Sequence, residues 1–178
     1  MQIVDQGFVA GKKILLRYDL DVPIKDGKVQ DGFRLRAGVP TLKLCLEHGK
    51  EVVMIGHLGR PEGEDQAFSV APVHAWLTSN GFADELNSGK LKLLENLRFE
   101  AGEEGLDESY AKELADLGEV FVNEAFAAHR PAASTTLLPK LLPARAGLRF
   151  AKEVEELIKV RENPEKPLVV IIGGAKIE

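Results

Sequence analysis

The sequence is short of several things at once. It has one cysteine, Cys45, so no internal disulfide can form and a disulfide-stapled scaffold is excluded. A lone cysteine with no secretory leader points to a reducing, cytoplasmic setting. Cys45 itself falls in an apolar helical pattern and reads as plain core. Apolar runs last only a few residues, far from the roughly 20 that a membrane-spanning helix needs, so no membrane partner is expected. Positive charge is in deficit, with 23 Lys and Arg against 28 Asp and Glu and a net charge of −5. That balance argues against general nucleic-acid binding, which needs a basic face. There is no internal repeat and no low-complexity tract. What remains is a chain of 178 residues, 44% hydrophobic, long enough for one domain with a real core and a small appendage.

Strands and helical patterns alternate along it. Lys13–Asp19, Glu51–Ile55, Leu91–Glu95, Glu119–Asn123 and Leu168–Ile172 read as strands, most of them near-continuous in Val, Ile, Leu or Phe, as in sheets covered on both faces. Leu35, Val39, Leu42 and Leu46 form a helical stripe. Pro40 is expected to divide it into a short turn over Phe33–Gly38 and a main helix ended by Gly49. Ser69 is placed to cap a helix through Trp76 to Ser79 with Gly81 as its stop, and Asp107 to cap one that Gly118 ends. Leu148–Arg161 reads as the longest helix, with a stripe of Phe150, Val154, Leu157 and Ile158. Asp26-Gly27, between short alternating runs, predicts a hairpin. The alternation predicts an α/β fold: a doubly wound, mostly parallel sheet with helices on both faces, in three layers.

In such sheets ligands bind beyond the carboxyl ends of the strands. The residues found there form a pattern. Arg17, Asp19 and Asp21 follow the first strand, Gly56-His57-Leu58-Gly59-Arg60-Pro61 the second, Asn96-Leu97-Arg98 the third, and Asn123-Glu124 and then His129-Arg130 the fourth. Gly173-Gly174-Ala175-Lys176 follows the fifth, and Arg34 lies on the first helical turn. Arginines repeatedly placed at one edge of an acidic chain suit a small ligand with two or more negative charges, because guanidinium groups bind phosphate and carboxylate in a bidentate way. Gly56 and Gly59 would let backbone N–H groups approach an anion. Each arginine taken singly could equally be a solvated surface group paired with a neighbouring acid.

These segments resemble the phosphoglycerate kinase family. His57-Leu58-Gly59-Arg60-Pro61 and Glu95-Asn96-Leu97-Arg98-Phe99 match two of its motifs. Arg17-Tyr18-Asp19-Leu20-Asp21-Val22-Pro23 is similar to its R-V-D-F-N-V-P, and Arg34-Leu35-Arg36-Ala37 with Val39-Pro40 to its R-I-R-A-x-x-P. Val122-Asn123-Glu124-Ala125-Phe126 with His129-Arg130 is similar to V-N-D-A-F…A-H-R, and Gly173–Lys176 to the opening of G-G-A-K-V. They occur in the family's order across almost the whole chain. The resemblance implies reversible phosphoryl transfer between 1,3-bisphosphoglycerate and ADP, giving 3-phosphoglycerate and ATP, in glycolysis and gluconeogenesis, by a cytoplasmic monomer. It implies that residues 1–147 form the 3-phosphoglycerate-binding domain, 148–163 an interdomain helix, and 164–178 the first strand of a nucleotide-binding domain that is otherwise absent. ATP or ADP, with Mg²⁺, would be bound by that absent domain, leaving this chain inactive alone. By the same resemblance His57, Arg60, Arg98, His129 and Arg130 hold the phosphate end of the substrate, and Asp19 accepts a hydrogen bond from its hydroxyl, with Asp21 beside it. Arg34 stabilises charge in transfer as the catalytic residue, and Lys176 belongs to the nucleotide side.

The chain departs from the family's pattern in places. Asp21 stands where the family has Asn and brings a negative charge toward an anionic substrate, so either it turns to the substrate hydroxyl or a neighbouring arginine offsets it. The His129 loop is a residue short, and Pro131-Ala132 replaces the Ala-His that would follow. Two other readings are open to the residues. Asp19-Leu20-Asp21-Val22 resembles the D-x-D-x-V start of haloacid-dehalogenase-like phosphatases, although the second acidic pair those enzymes need for Mg²⁺ does not follow any later strand. A non-catalytic anion-binding domain is the other.

Overall fold

The structure is a computed structural model and describes residues 1–171. Five strands, β1 (Lys13–Arg17), β4 (Glu51–Ile55), β5 (Leu91–Leu93), β6 (Val120–Asn123) and β7 (Ala144–Ala146), form one sheet in the order β5-β4-β1-β6-β7. Every neighbouring pair runs parallel. A separate hairpin pairs β2 (Ile24–Lys25) with β3 (Lys28–Val29) across Asp26 and Gly27, both at positive φ, as a tight turn requires.

The near-continuous apolar strands are explained by burial on two faces. Ile14, Leu16, Val52, Met54, Val120 and Val122 point to one face, where Leu35, Leu42, Leu46, Val73 and Leu77 meet them. Leu15, Val53, Ile55 and Phe121, the alternate positions, point to the other, against Leu97, Leu114 and Leu138. A strand residue between two helical layers is shielded above and below, so alternation of polar and apolar residues disappears. Cys45 is buried in the first of these clusters, and burial pushes its thiol up to about 12.

Several local expectations are corrected. Phe33–His48 is one helix of 16 residues with Pro40 inside it, so Pro40 does not divide it. Proline removes one helical N–H, but Leu35 before it and Leu42, Cys45 and Leu46 after it bury in the same core and keep the two halves in line. That helix, rather than Leu148–Glu162 with 15 residues, is the longest. Gly49 does end it, in an extended rather than left-handed conformation; a Cβ there would lie 2.4 Å from Ile14 Cδ1. The helix Ala71–Leu77 has Val70 rather than Ser69 at its N-cap, and Ser69 Oγ accepts from Ala71 N–H at 3.2 Å. Gly81 (φ 92) turns the chain rather than stopping it, and a further helix follows over Ala83–Asn87. On Leu148–Glu162 the predicted stripe is largely open: Ala151 is its buried residue, while Leu157 and Ile158 are exposed. The strand expected at Leu168–Ile172 is absent from its described part. Leu168 to Ile171 pair with nothing in the sheet and are 49–91% exposed, since a lone apolar segment without a neighbouring strand has no ladder to join. Gly173–Lys176 lies outside the described residues.

The helix Leu148–Glu162 is joined to the sheet at its first turn. Leu148 N–H donates to Thr41 Oγ1 at 2.9 Å, and Arg149 N–H to Glu124 Oε1 at 3.1 Å. Glu124 is buried at the end of β6, and any Cβ at position 147 would lie 1.7 Å from its Oε2, so only glycine fits there. Burial raises the Glu124 carboxyl to about 7, against the pull of the Arg149 N–H.

Candidate functional site

The sheet reverses direction of growth at β1: successive strands β1, β4 and β5 run to one side, and the chain then returns to place β6 and β7 on the other. Parallel strands put all their carboxyl ends on one edge, and the gap at the reversal is where α/β sheets form a crevice. A cleft of about 430 Å³ opens there. Arg17 comes to it from β1, Asp21 from the loop after β1, His57, Gly59 and Arg60 from the loop after β4, Arg98 from beyond β5, and Ala127–Ala132 from the loop after β6. Of the residues expected at the site, Asp21, His57, Arg60, Arg98, His129 and Arg130 line this cleft. Asp19 and Arg34 do not; they form an ion pair beside it, Arg34 Nη1 to Asp19 Oδ1 at 3.5 Å.

Asp21 connects the two groups. Its Oδ1 accepts the Gly59 N–H at 2.9 Å and its Oδ2 lies 3.9 Å from Arg34 Nη1. Of the two ways to accommodate the extra carboxylate, a neighbouring arginine is therefore in place. For Gly59 the glycine expectation is corrected. The Gly59 N–H is already taken by Asp21, and Gly59 is needed because its φ is +63 and a Cβ would lie 2.3 Å from Phe68 Cδ1. A Cβ on Gly56 would lie 2.6 Å from both Leu20 Cγ and Tyr18 O. Both glycines serve close packing of the loops.

The loops are tied together by a set of mostly buried polar side chains. Asn96, 2% exposed, donates to Leu58 O (2.8 Å) and Phe68 O (2.9 Å) and accepts from Arg98 N–H (3.1 Å), so it links the His57–Arg60 and Leu97–Phe99 segments. Arg98 Nη1 donates to Gly59 O at 2.6 Å, and its Nε lies 3.1 Å from Glu104 Oε1. At the floor, Arg17 is 2% exposed and its Nε donates to Ser134 Oγ at 2.7 Å. Buried Glu103 accepts from Ser134 N–H (3.0 Å) and Ser134 Oγ (2.5 Å) and stands 3.8 Å from Arg17 Nη2. Arg17 Nη1 is buried with no hydrogen-bond partner among the described residues. The one available signal for Arg17 was its place at the end of β1; Glu103 and Ser134 gave none.

The electrostatics suit an anion. Burial, with Arg17 and Arg98 nearby, pulls the His57 imidazole down to about 4, so it is neutral at pH 7 and can donate one hydrogen bond. Burial pulls the Arg17 guanidinium below its ordinary value, opposed by Glu103, and raises Asp19, opposed by Arg34. Arg60 and Arg130 are exposed at the rim and form no salt bridge among the described residues. A second depression, about 530 Å³, is rimmed by Glu64, Glu95, Glu100 and Glu113; it is larger but of the wrong sign for an anion. Among the described residues no group of three His, Cys, Asp or Glu is placed to hold a metal ion, and Asp19 and Asp21 already face a guanidinium. The phosphatase reading of Asp19 and Asp21 loses support, because a guanidinium rather than a further carboxylate faces the pair.

A family model described as phosphoglycerate kinase matches residues 4–178. A phosphoglycerate kinase of Thermus thermophilus is 43% identical over 185 residues, covering 94% of this chain and 47% of the relative, and one of Leifsonia xyli is 42% identical over 194 residues, covering 96% and 48%. Among solved structures, phosphoglycerate kinase from Coxiella burnetii superposes with a TM-score of 0.81 at 36% identity, and that from Pyrococcus horikoshii with 0.79 at 28%, each covering 94% of this chain and 47% of the other. The chain thus spans about half the length of the relatives it matches.

Proposed function

Since the chain belongs to the phosphoglycerate kinase family, we propose that it supplies the 3-phosphoglycerate half-site for reversible phosphoryl transfer between 1,3-bisphosphoglycerate and ADP, in the cytoplasm and as a monomer. The observation that carries this is the cleft in which His57, Arg60, Arg98 and Arg130 converge from three loops. Such a cluster matches the oxygens of one phosphoryl group, with bidentate arginine contacts and a neutral imidazole donor. His129 lines the same rim. At the other end of a three-carbon substrate, Asp19 accepts a hydrogen bond from the hydroxyl. Arg34, which lies 3.5 Å from Asp19 and 3.9 Å from Asp21, serves the carboxyl or acyl-phosphate group. Phosphoryl transfer needs positioning and charge neutralisation more than covalent chemistry, so arginines and an orienting carboxylate suffice on this side.

In this reading residues 1–147 are the substrate domain, 148–163 the interdomain helix, and 164–178 the first strand of a nucleotide domain, with Lys176 on the nucleotide side. MgATP or MgADP is held by the family's other half. The exposed Leu157, Ile158 and Val169 fit a surface that this half covers. The 178 residues alone bind 3-phosphoglycerate but do not turn over, because both substrates must lie in line in one closed, dry site. Titration calorimetry with 3-phosphoglycerate on the wild type and on Arg60→Ala is the test. The expected loss is about 1–3 kcal/mol, the worth of one charged hydrogen-bond partner; equal affinities would remove Arg60 from the site. A coupled assay with MgATP checks the second half, and turnover well above background would contradict it.

A further inference from the structure

Four guanidinium groups and three carboxylates line the cleft, and the carboxylates are not equivalent. Asp21 is fixed by the Gly59 N–H. Glu103 is 1% exposed and anchored by both Ser134 donors. Glu104, the next residue on the same helical turn, faces outward: its side chain is 60% exposed, and its polar partner among the described residues is Arg98 Nε at 3.1 Å. An ion pair with so exposed a carboxylate is held weakly enough to exchange.

Arg98 is the mirror case. Its side chain is 12% exposed, and Nη1 is committed to Gly59 O at 2.6 Å. A guanidinium offers bidentate donation along an edge. Nη1 gives one N–H to Gly59 O, and of the two edges the one through Nε and Nη2 carries Glu104 on Nε. The arginine best fixed to receive an anion is therefore already occupied by a carboxylate of the same cleft.

We propose that Glu104 is an internal competitor for the anion cleft, holding the Nε edge of Arg98 until a phosphoryl group displaces it, and so setting the affinity for the substrate. This rests on the 3-phosphoglycerate reading above. Displacement by a doubly charged phosphoryl group is favoured by charge, whereas exchange for another carboxylate gains nothing, so the competitor also selects the phosphorylated end of a ligand for this position. Glu104 is a tuning residue: it does not touch the reacting atoms, and the bound complex does not need it.

Calorimetric titration of the full chain with 3-phosphoglycerate tests this in wild type, Glu104→Gln, Arg98→Ala and the double variant, with Glu155→Gln as a control that makes the same charge change on the exposed helix. Glu104→Gln is expected to tighten binding about two- to five-fold, the span of one solvent-edged ion pair. Glu155→Gln leaves binding unchanged, and in the Arg98→Ala background Glu104→Gln has no effect. Glu104→Ala, which removes the side chain, must move affinity in the same direction. Wild-type binding that Glu104→Gln leaves equal or weakens would overturn the inference while the site reading stands. The same gain in the Arg98→Ala background would show general repulsion instead of competition and overturn it too. No saturable binding by any form would overturn the 3-phosphoglycerate reading and this inference with it.

Discussion

Replacing Glu103 by Gln keeps shape and removes one charge, and the structure says what that charge does. Arg17 and Glu103 are 2% and 1% exposed, 3.8 Å apart between Arg17 Nη2 and Glu103 Oε1, with Ser134 bonded to both. In Glu103→Gln the amide oxygen can still accept the Ser134 N–H, so one hydrogen bond survives. The Ser134 hydroxyl must then reorient toward an NH₂ group, and the Arg17 guanidinium stays buried without its counter-ion. Breaking a buried pair from one side costs about 3–5 kcal/mol. Asp19 also acts on Arg17, which moves the expectation to the lower end, near 3 kcal/mol. For a chain of this size that is a fall in melting temperature of roughly 6–12 °C. Urea unfolding followed by circular dichroism measures it directly. Removing both charges in Arg17→Met/Glu103→Gln is expected to recover most of the loss, because no orphan charge is left and the amide oxygen still accepts the Ser134 N–H. A Glu103→Gln variant within about 1 kcal/mol of wild type, or a double variant worse than the single one, would refute the reasoning.

Glu124 and His57 pull stability in opposite directions with pH. The folded state holds the Glu124 proton up to about 7 while the unfolded chain releases it near 4.5, so this contribution is complete below 4.5 and is lost as pH rises through 7. His57 is lowered from 6.5 to about 4, so the unfolded chain takes up its proton first and stability falls as pH drops below 6.5. Denaturant titrations at several pH values are expected to show Glu124→Gln removing a slope worth up to about 3 kcal/mol; His57→Gln should change the profile in the opposite sense, and parallel profiles for the two would contradict this. Gly59→Ala forces a Cβ into a left-handed residue and against Phe68, so a loss of more than about 1–2 kcal/mol in thermal melts is expected, with weaker 3-phosphoglycerate binding. MgADP is expected to bind this chain only weakly, and submicromolar affinity in the same calorimeter would contradict that.

Much of the fold could be read directly because the strands are buried on both faces: β1, β4 and β6 carry unbroken apolar runs. β7, Ala144-Arg145-Ala146, carries no such signal. It is an edge strand of small and polar residues, and its pairing with β6 is set by the tertiary frame. Pro40 misled because its local cost is outweighed by core burial on either side. The arginines at the rim were legible since a strand end is a position in sequence. The Arg17–Ser134–Glu103 contact was not, because it joins segments far apart along the chain, each of which alone reads as an ordinary polar residue. The exposed apolar face of Leu148–Glu162 shows the converse: a helical stripe predicts that something is covered, and does not say by what.

A crystal structure of the chain with 3-phosphoglycerate tests the central claim most directly. The account predicts the phosphoryl group between Arg60, Arg98, Arg130 and His57, the carboxylate turned toward Arg34, and Glu104 moved off Arg98 Nε. Phosphoryl density elsewhere on the molecule, with the Arg98–Glu104 pair intact and the cleft holding no ligand at saturating concentration, would contradict it.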